Sequence, residues 1–359
     1  MREKVLVAMS GGVDSAVAAA LLVKAGHDVT GVFLCLQTDR AQGGNDRSCC
    51  SPQDAADARA IASRLGIPFK ALSVSDDFAA IIDSFVEDYE NGRTPNPCIR
   101  CNERVKFGRL FELADSLGAQ RVATGHYARI AERDGGPVIA PAKAGGKDQS
   151  YVLFRLPREW LGRILFPVGD LESKQAVREI ANGLGLEVHD KPDSQDVCFV
   201  PDGNYASLLE ARGSRALRPG DIVDSSGRVV GKHDGYGRFT IGQRRGTGVA
   251  MGHPAYVVGI DPVNAVVTLG PREELLSHGL IAHGANWQVD VPASFEATVK
   301  IRYNHRGAPA TVARTGDDAF EVRFHDPIEA VTPGQAAVAY ADGCLLGGGW
   351  IERSLKCDS

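Results

Sequence analysis

Lys4-Val5-Leu6-Val7-Ala8-Met9-Ser10-Gly11-Gly12-Val13-Asp14-Ser15, followed by Ala16-Val17-Ala18-Ala19-Ala20-Leu21-Leu22-Val23-Lys24, decides the architecture of this chain. The short apolar run Val5–Met9 reads as a buried strand, and the alanine-rich run after Ser15 reads as a helix. Between them a glycine pair lets the backbone come close to a ligand. Amides and hydroxyls at the start of the helix then form a nest for an anion. The loop lacks a Gly-Lys-Ser/Thr ending, so it is not the Walker loop that grips β- and γ-phosphates with a lysine.

Working outward, strand and helix alternate over about the first 130 residues. Val29–Leu34 is a second strand. Ser51 and Pro52 open a helix as N-cap and first helical residue, and Gly66 closes it. Phe69–Val74 is a third strand, helical patterns cover 76–90 and 103–117, and Arg121–Gly125 is a fourth strand. Repeated βα units predict an α/β fold with a parallel, Rossmann-like sheet covered by helices on both faces. Ligands of such sheets lie beyond the carboxyl ends of the strands, where Ser10–Ser15, Leu34 and Gly125-His126 fall. A further helix is expected from Glu172 to Leu184, leading to the loop Asp193–Cys198. From about Gly213 the pattern changes to short alternating runs broken by turn pairs, such as Thr298–Tyr303, Ala319–Phe324 and Pro333-Gly334. That half is expected to be all β, as two small barrels. The resulting division is 1–204, 205–272 and 273–359.

A chain of 359 residues exceeds one comfortable core. Its 43% hydrophobic and 24% charged composition is ordinary for a soluble protein. Met1 runs directly into the first strand, which leaves no room for a signal or transit peptide, and no apolar run approaches a membrane span. The expectation is a cytoplasmic monomer with no membrane partner. Eight cysteines in so long a chain do not make a disulfide framework. The net charge of −5 opposes nucleic-acid binding unless a basic surface is gathered locally.

Such a surface is available. Arg238, Arg244, Arg245, Lys300, Arg302, His305, Arg306 and Arg314 collect in the β-rich half, interleaved with Tyr236, Phe239 and Tyr303. Cations beside aromatic rings suit phosphates and stacked bases.

Cys98-Ile99-Arg100-Cys101 follows the stiff loop Thr94-Pro95-Asn96-Pro97, just ahead of the helix expected to open at Glu103. A thiol near a helix start with Arg100 and Arg104 nearby is set up as a nucleophile. Structural zinc would need two more ligands at suitable spacing, and no second CxxC or paired-histidine motif supplies them. Cys198 stands in a second loop, beside Val197 and Phe199. One thiolate carrying a persulfide and another resolving it would transfer sulfur to an activated carbon. Alternatively, Cys98, Cys101 and Cys198 would ligate three irons of a 4Fe–4S cluster. Cys35, Cys49, Cys50, Cys344 and Cys357 lack comparable context and read as structural or surface thiols.

Ser10–Ser15 resembles the PP-loop of ATP pyrophosphatases, which split ATP into AMP and pyrophosphate to adenylate a substrate. Together with the cysteines, motifs along nearly the whole chain resemble the bacterial tRNA-specific 2-thiouridylase family. They are Thr94–Pro97 with Cys101-Asn102, Thr124-Gly125-His126-Tyr127-Ala128, Lys147-Asp148-Gln149-Ser150-Tyr151, and Asp193-Ser194-Gln195 with Cys198-Phe199. Gly231-Lys232-His233, Thr240–Gly246 and Pro333-Gly334-Gln335 complete the set. The resemblance implies ATP, with magnesium, on Ala8, Met9, Ser10, Gly11, Gly12, Val13, Asp14 and Ser15, with Leu34 and Gly125 on the adenine and ribose side. It implies Cys101 as nucleophile and Cys198 as persulfide carrier, the two forming a transient disulfide. Asn96, Pro97 and Cys98 would face the target base. His126, Lys147, Asp148, Gln149, Arg302, Tyr303 and Gln335 would contact the anticodon stem-loop of tRNA.

The implied reaction adenylates the wobble uridine at O2 and then places sulfur on C2, with a cysteine desulfurase or relay protein as upstream donor. Two positions depart from the family pattern. Cys98 stands where many members carry aspartate, which raises the case for the cluster, although the persulfide route stays ahead. Leu34 replaces a common methionine. The rival readings are a PP-loop amide ligase, which would need no reactive thiol, another tRNA thiolase, or a non-catalytic relay protein.

Overall fold

The computed structural model describes residues 2–36, 52–186, 188, 197–200 and 203–356. Cys49, Cys50, Cys357, the cap at Ser51 and the motif Asp193-Ser194-Gln195 lie outside the described residues. By contacts the chain divides into two units. One comprises Met1–Ile81, Pro97–Gly203 and Asp342–Leu346; the other comprises Ile82–Asn96, Asn204–Ala341 and Gly347–Ser359.

In the first unit, β1 (Lys4–Ala8), α1 (Val13–Lys24), β2 (Asp28–Cys35), α2 (Pro52–Arg64) and β3 (Phe69–Ser73) follow in order, and α3 (Ser75–Glu90) begins there. The chain returns with α4 (Pro97–Arg100), a π-helical segment (Cys101–Gly108), α5 (Arg109–Leu117) and β4 (Arg121–Ala123). A hairpin of β5 (Ala128–Arg133) and β6 (Gly136–Pro141), then α6 (Arg158–Leu161), β7 (Ile164–Leu165) and α7 (Lys174–Gly183) complete it. The sheet has five parallel strands in the order β3-β2-β1-β4-β7. Strand order therefore reverses between β1 and β4, which opens a crevice at their carboxyl ends. Val5, Leu6 and Val7 are buried on both faces of β1, as a central parallel strand requires. Ala16, Ala18 and Ala19 let α1 pack closely in the same core.

Two helix boundaries differ from expectation. The helix expected to open at Glu103 begins at Pro97, so Cys98 and Cys101 lie within a helical segment rather than in a loop before it. Proline fits the first helical position because its fixed φ suits the helix and its missing N–H is not needed there. The helix expected from Glu172 starts at Lys174, because the Ser173 hydroxyl caps it by accepting from the Ala176 N–H at 3.1 Å.

In the second unit, α8 (Tyr205–Ala211) precedes β8 (Gly220–Asp224), β9 (Val229–His233), β10 (Tyr256–Asp261) and β11 (Val266–Gly270). These strands form a four-stranded sheet in the order β10-β11-β8-β9. Then β12 (Leu276–Trp287), β13 (Ser294–Lys300), β14 (Ala308–Arg314), β15 (Ala319–Glu329), β16 (Ala336–Ala341) and β17 (Cys344–Lys356) close a barrel in the order β12-β15-β14-β13-β16-β17. Alternation selects its interior: Phe320, Val322 and Phe324 are buried on β15 while Arg323 is exposed.

Candidate active site

The loop after β1 is held by its own hydroxyls. Ser15 Oγ donates to the Gly12 carbonyl at 2.9 Å and accepts from the Ser10 N–H at 3.1 Å. Gly11 has φ +74°, and a Cβ there would lie 2.5 Å from the Asp54 carbonyl oxygen, so the start of α2 sits directly against the loop. On the other side, a Cβ on Gly125 would lie 2.7 Å from the Asp14 carbonyl carbon and the Ser15 nitrogen. The turn after β4 thus closes on the start of α1 with glycine alone able to fit. Met9 is buried beneath the loop, and Leu34 is half-buried near the end of β2.

Asp14 ties the loop to two other elements. Its carboxylate accepts from the Tyr127 hydroxyl at 2.7 Å and from Lys174 Nζ at 2.8 and 2.7 Å on its two oxygens. The Lys174 ammonium also lies 5.7 Å from the centre of the Tyr127 ring. Tyr127 is buried, and its N–H donates to Gln149 Oε1 at 2.9 Å. Asp148 accepts from the N–H and hydroxyl of Ser150 at 3.1 and 2.9 Å, and from the Ala142 N–H at 3.3 Å. Both acceptors, expected from sequence to face tRNA, are engaged within the protein: Gln149 braces the turn that carries Tyr127, and Asp148 ties Ser150 to Ala142. Lys147 beside them is exposed.

His126 is fixed by a 2.7 Å hydrogen bond between its Nδ1 and Thr124 Oγ1. Its ring lies 5.8 Å from that of Phe107 and 6.3 Å from that of Phe166. Burial holds its pKa well below the ordinary histidine value, and the nearby Lys106 charge adds to the effect. The imidazole is neutral, suited to hydrogen bonding rather than to pairing with a phosphate.

The three thiols differ in access: Cys98 is exposed, Cys101 is buried and Cys198 is half-buried. Cys101 opens the π-helical segment, a geometry found frequently at functional sites. Asn102 is buried, and its side-chain amide donates to the Val152 carbonyl at 3.1 Å. Arg155 holds Glu103 through 3.2 and 2.9 Å bonds. Phe199 packs edge-on against Phe78 at 5.7 Å, which pins the chain beside Cys198. Among the described residues, no group of three or more His, Cys, Asp or Glu side chains is gathered as a metal site.

In the second unit, Gln335 Nε2 donates to the carbonyls of Thr94 and Pro95 at 2.9 and 3.4 Å, and the Thr94 N–H donates to the Pro333 carbonyl at 2.9 Å. Two motifs far apart in sequence thereby meet: Pro333-Gly334-Gln335 supports the loop that runs through the half-buried Asn96 into Pro97. Arg302 and Tyr303 are exposed just after β13, and Arg244, Arg245, Arg306 and Arg314 are exposed as well. The stacking role expected of Tyr236 and Phe239 does not hold. Tyr236 is buried and donates its hydroxyl to the Glu90 carbonyl at 2.8 Å, while Phe239 is buried with its ring 5.5 Å from that of His233. Arg238 pairs with Glu210 at 2.6 Å.

Sequence reasoning missed Thr124, Tyr127 and Lys174 as parts of the site. The first two stood inside a motif already singled out. Lys174 lies 160 positions from Asp14, with no local signal to join them.

Three family models match in chain order. The first, described as the tRNA methyl transferase HUP domain, covers residues 3–202; a tRNA methyl transferase PRC-barrel domain covers 208–271; an aminomethyltransferase beta-barrel domain covers 277–351. The tRNA-specific 2-thiouridylase MnmA of Geobacter metallireducens is 46% identical over 99% of this chain and 98% of its own. That of Syntrophotalea carbinolica is 48% identical over 98% of this chain and 100% of its own. That of Carboxydothermus hydrogenoformans is 46% identical over 99% of each. With identity at this level running through all three matched regions, the chain belongs to the MnmA family of tRNA-specific 2-thiouridylases.

Proposed function

We propose that this chain is a tRNA-uridine 2-sulfurtransferase that adenylates the wobble uridine at O2 and replaces that oxygen with sulfur. The observation that carries the reading is a chain of contacts within the first unit. Phe107 of the π segment packs on His126, and the neighbouring Gly125 abuts Asp14 and Ser15. The segment that begins at Cys101 and the anion loop therefore share one edge of the sheet.

ATP lies along Ala8–Ser15, with adenine and ribose toward Leu34 and Gly125. The Asp14 carboxylate is a hard oxygen donor that suits magnesium, which would neutralise phosphate charge when bound with ATP. The uridine is flipped out of the anticodon loop so that its O2 can reach the α-phosphate. Its oxygen forms a bond to phosphorus as the bond to the leaving pyrophosphate breaks. The terminal sulfur of a Cys198 persulfide then bonds to C2, and AMP departs with the oxygen. Finally the Cys101 thiolate attacks Cys198 Sγ, breaking the persulfide bond. Sulfur remains on C2 as 2-thiouridine, and a Cys101–Cys198 disulfide is left for an external thiol to reduce. Asn96, Pro97 and Cys98 face the base. His126 and Lys147 contact tRNA directly, while Asp148, Gln149 and Gln335 do so through the loops they brace. Arg302 and Tyr303 extend the RNA surface onto the barrel.

In this reading the chain is a cytoplasmic monomer divided at 1–204, 205–272 and 273–359, and a cysteine desulfurase or relay protein supplies its sulfur. Among the described residues, no helix is long and apolar enough to cross a membrane. The test supplies tRNA, ATP and a persulfide donor and analyses the nucleosides by mass. The expected result is 2-thiouridine with equimolar AMP and pyrophosphate, lost in both Cys101→Ser and Cys198→Ser. An amidated product, a thiolated cytidine or full activity of either serine variant rejects the assignment.

A further inference from the structure

We infer that His126, held by Thr124 as an Nε2–H donor, reads O4 of the target uracil and so turns cytidine away, a role that rests on the sulfurtransferase reading above. Thr124 is buried, and among the described residues its hydroxyl meets two groups, His126 Nδ1 at 2.7 Å and the His126 N–H at 3.4 Å.

Counting protons fixes the tautomer. The backbone N–H can only donate, so the hydroxyl oxygen accepts from it. If Nδ1 donated as well, the hydroxyl proton would be buried without an acceptor, which is costly. The hydroxyl therefore donates to Nδ1. Burial and the Lys106 charge keep the imidazole neutral, so its single proton sits on Nε2. Phe107 and Phe166 both pack on the ring, with centres 5.8 and 6.3 Å away, and hold its plane. Nε2 has no hydrogen-bond partner among the described residues and is not sealed from solvent. That edge of the ring is left for a ligand.

The ligand follows from where the donor stands. Gly125, one residue earlier, abuts the backbone of Asp14 and Ser15, and Phe107 belongs to the π segment that Cys101 opens. His126 thus lies between the anion loop and a thiol-bearing segment, the interval a base must occupy to be adenylated and then receive sulfur. A phosphate in contact with the ring would favour the charged imidazole, whereas a neutral donor suits an uncharged carbonyl. Uracil has two carbonyls. O2 must keep a lone pair for the α-phosphate, which leaves O4 for Nε2–H. Cytosine carries an amino group at that position, so two N–H groups would face each other unpaired. Thr124 is the positioning residue of this contact, and no proton is transferred.

The test compares tRNA carrying uridine or 4-thiouridine at the target position, which differ only in the acceptor atom on C4, sulfur being the weaker acceptor. The readout is kcat/KM for tRNA-dependent pyrophosphate release by the full chain. Wild type is expected to lose roughly 3- to 10-fold on 4-thiouridine. His126→Phe keeps an aromatic ring against Phe107 and Phe166 but no donor. It should lose roughly 5- to 100-fold on uridine, the worth of one hydrogen bond to the base, and treat the two tRNAs alike. His126→Gln, whose amide still donates, should keep part of the preference. A preference unchanged in His126→Phe would show that O4 is read elsewhere and overturn the proposal, as would equal rates on the two tRNAs in wild type. Nitrogen NMR of the wild-type imidazole needs no variant and decides the matter should His126→Phe fail to fold. It should show the proton on Nε2, with that nitrogen shifting when the uridine-bearing tRNA binds; a proton on Nδ1 would overturn the proposal. Wild-type protein that releases no pyrophosphate with either tRNA would instead overturn the sulfurtransferase reading, and this role with it.

Discussion

One added methyl group is expected to close the anion loop. A Cβ on Gly125 would meet the backbone of Asp14 and Ser15 at 2.7 Å, and backbone cannot swing aside as a side-chain tip can. Gly125→Ala should cost about 1–3 kcal/mol of stability. It should also lower ATP-dependent pyrophosphate release by about tenfold or more, since about 1.4 kcal/mol at the transition state is already a factor of ten. Thermal unfolding and pyrophosphate assays check the two parts separately. His126 supports a different forecast. Its pKa is depressed in the fold, so below the ordinary value of 6.5 the unfolded chain takes up a proton that the folded one refuses. Stability should therefore fall as pH drops from there, by at most about 1.4 kcal/mol per pH unit for this group. His126→Gln should flatten the slope in urea unfolding series, and an unchanged slope would refute the assignment. The partnership of Asp14 with Lys174 was illegible in the sequence because nothing local links a loop aspartate to a lysine 160 positions away.

At the scale of elements, the π-helical segment sets the direction of Cys101. Residues 101–108 are wound wider than the helices on either side, so the turn holds more residues than an α-helix would. Deleting the exposed Arg104 should let the segment rewind as α-helix and turn Cys101 by about 100° relative to α5, the angle of one helical residue. Helix content by circular dichroism and ATP-driven pyrophosphate release should survive, while sulfur transfer should fall below detection. Retained thiolation would show that the winding is incidental. Four of the five strands of the parallel sheet were readable, because runs such as Val5–Met9 carry β-branched and apolar residues between clear breakers; the two-residue β7 (Ile164–Leu165) was too short to leave such a run. The π segment was not, since its side-chain pattern is that of any amphipathic helix. Pro97 was read as stiffening a loop when it begins a helix, and this error hid that Cys98 and Cys101 share one helical segment. Tyr236 and Phe239 misled in the opposite way. Arginine beside them suggested an exposed face, but both rings turn inward.

At the scale of the whole molecule, a chain with net charge −5 must bind a polyanion through selected surfaces. Arg302 and Tyr303 are both exposed at one turn of the barrel, offering a phosphate contact beside a stacking ring. Arg302→Ala should weaken tRNA binding and lower the slope of log affinity against log salt by about 1, as loss of one phosphate contact requires. Tyr303→Ala should weaken binding with the slope unchanged, because stacking releases no counterions. Filter binding across a salt series distinguishes the two. Family membership was legible because motifs recur in order from Ser10 to Gln335, whereas how they meet in space was not. The hydrogen bond from Gln335 to Thr94 spans 241 positions. At the pace of synthesis, about 5–20 residues per second, Thr94 leaves the ribosome roughly 10–50 seconds before the glutamine that will hold it. The turn at Thr94-Pro95 therefore matures late, and the nascent chain braces it only as the last strands of the barrel are made.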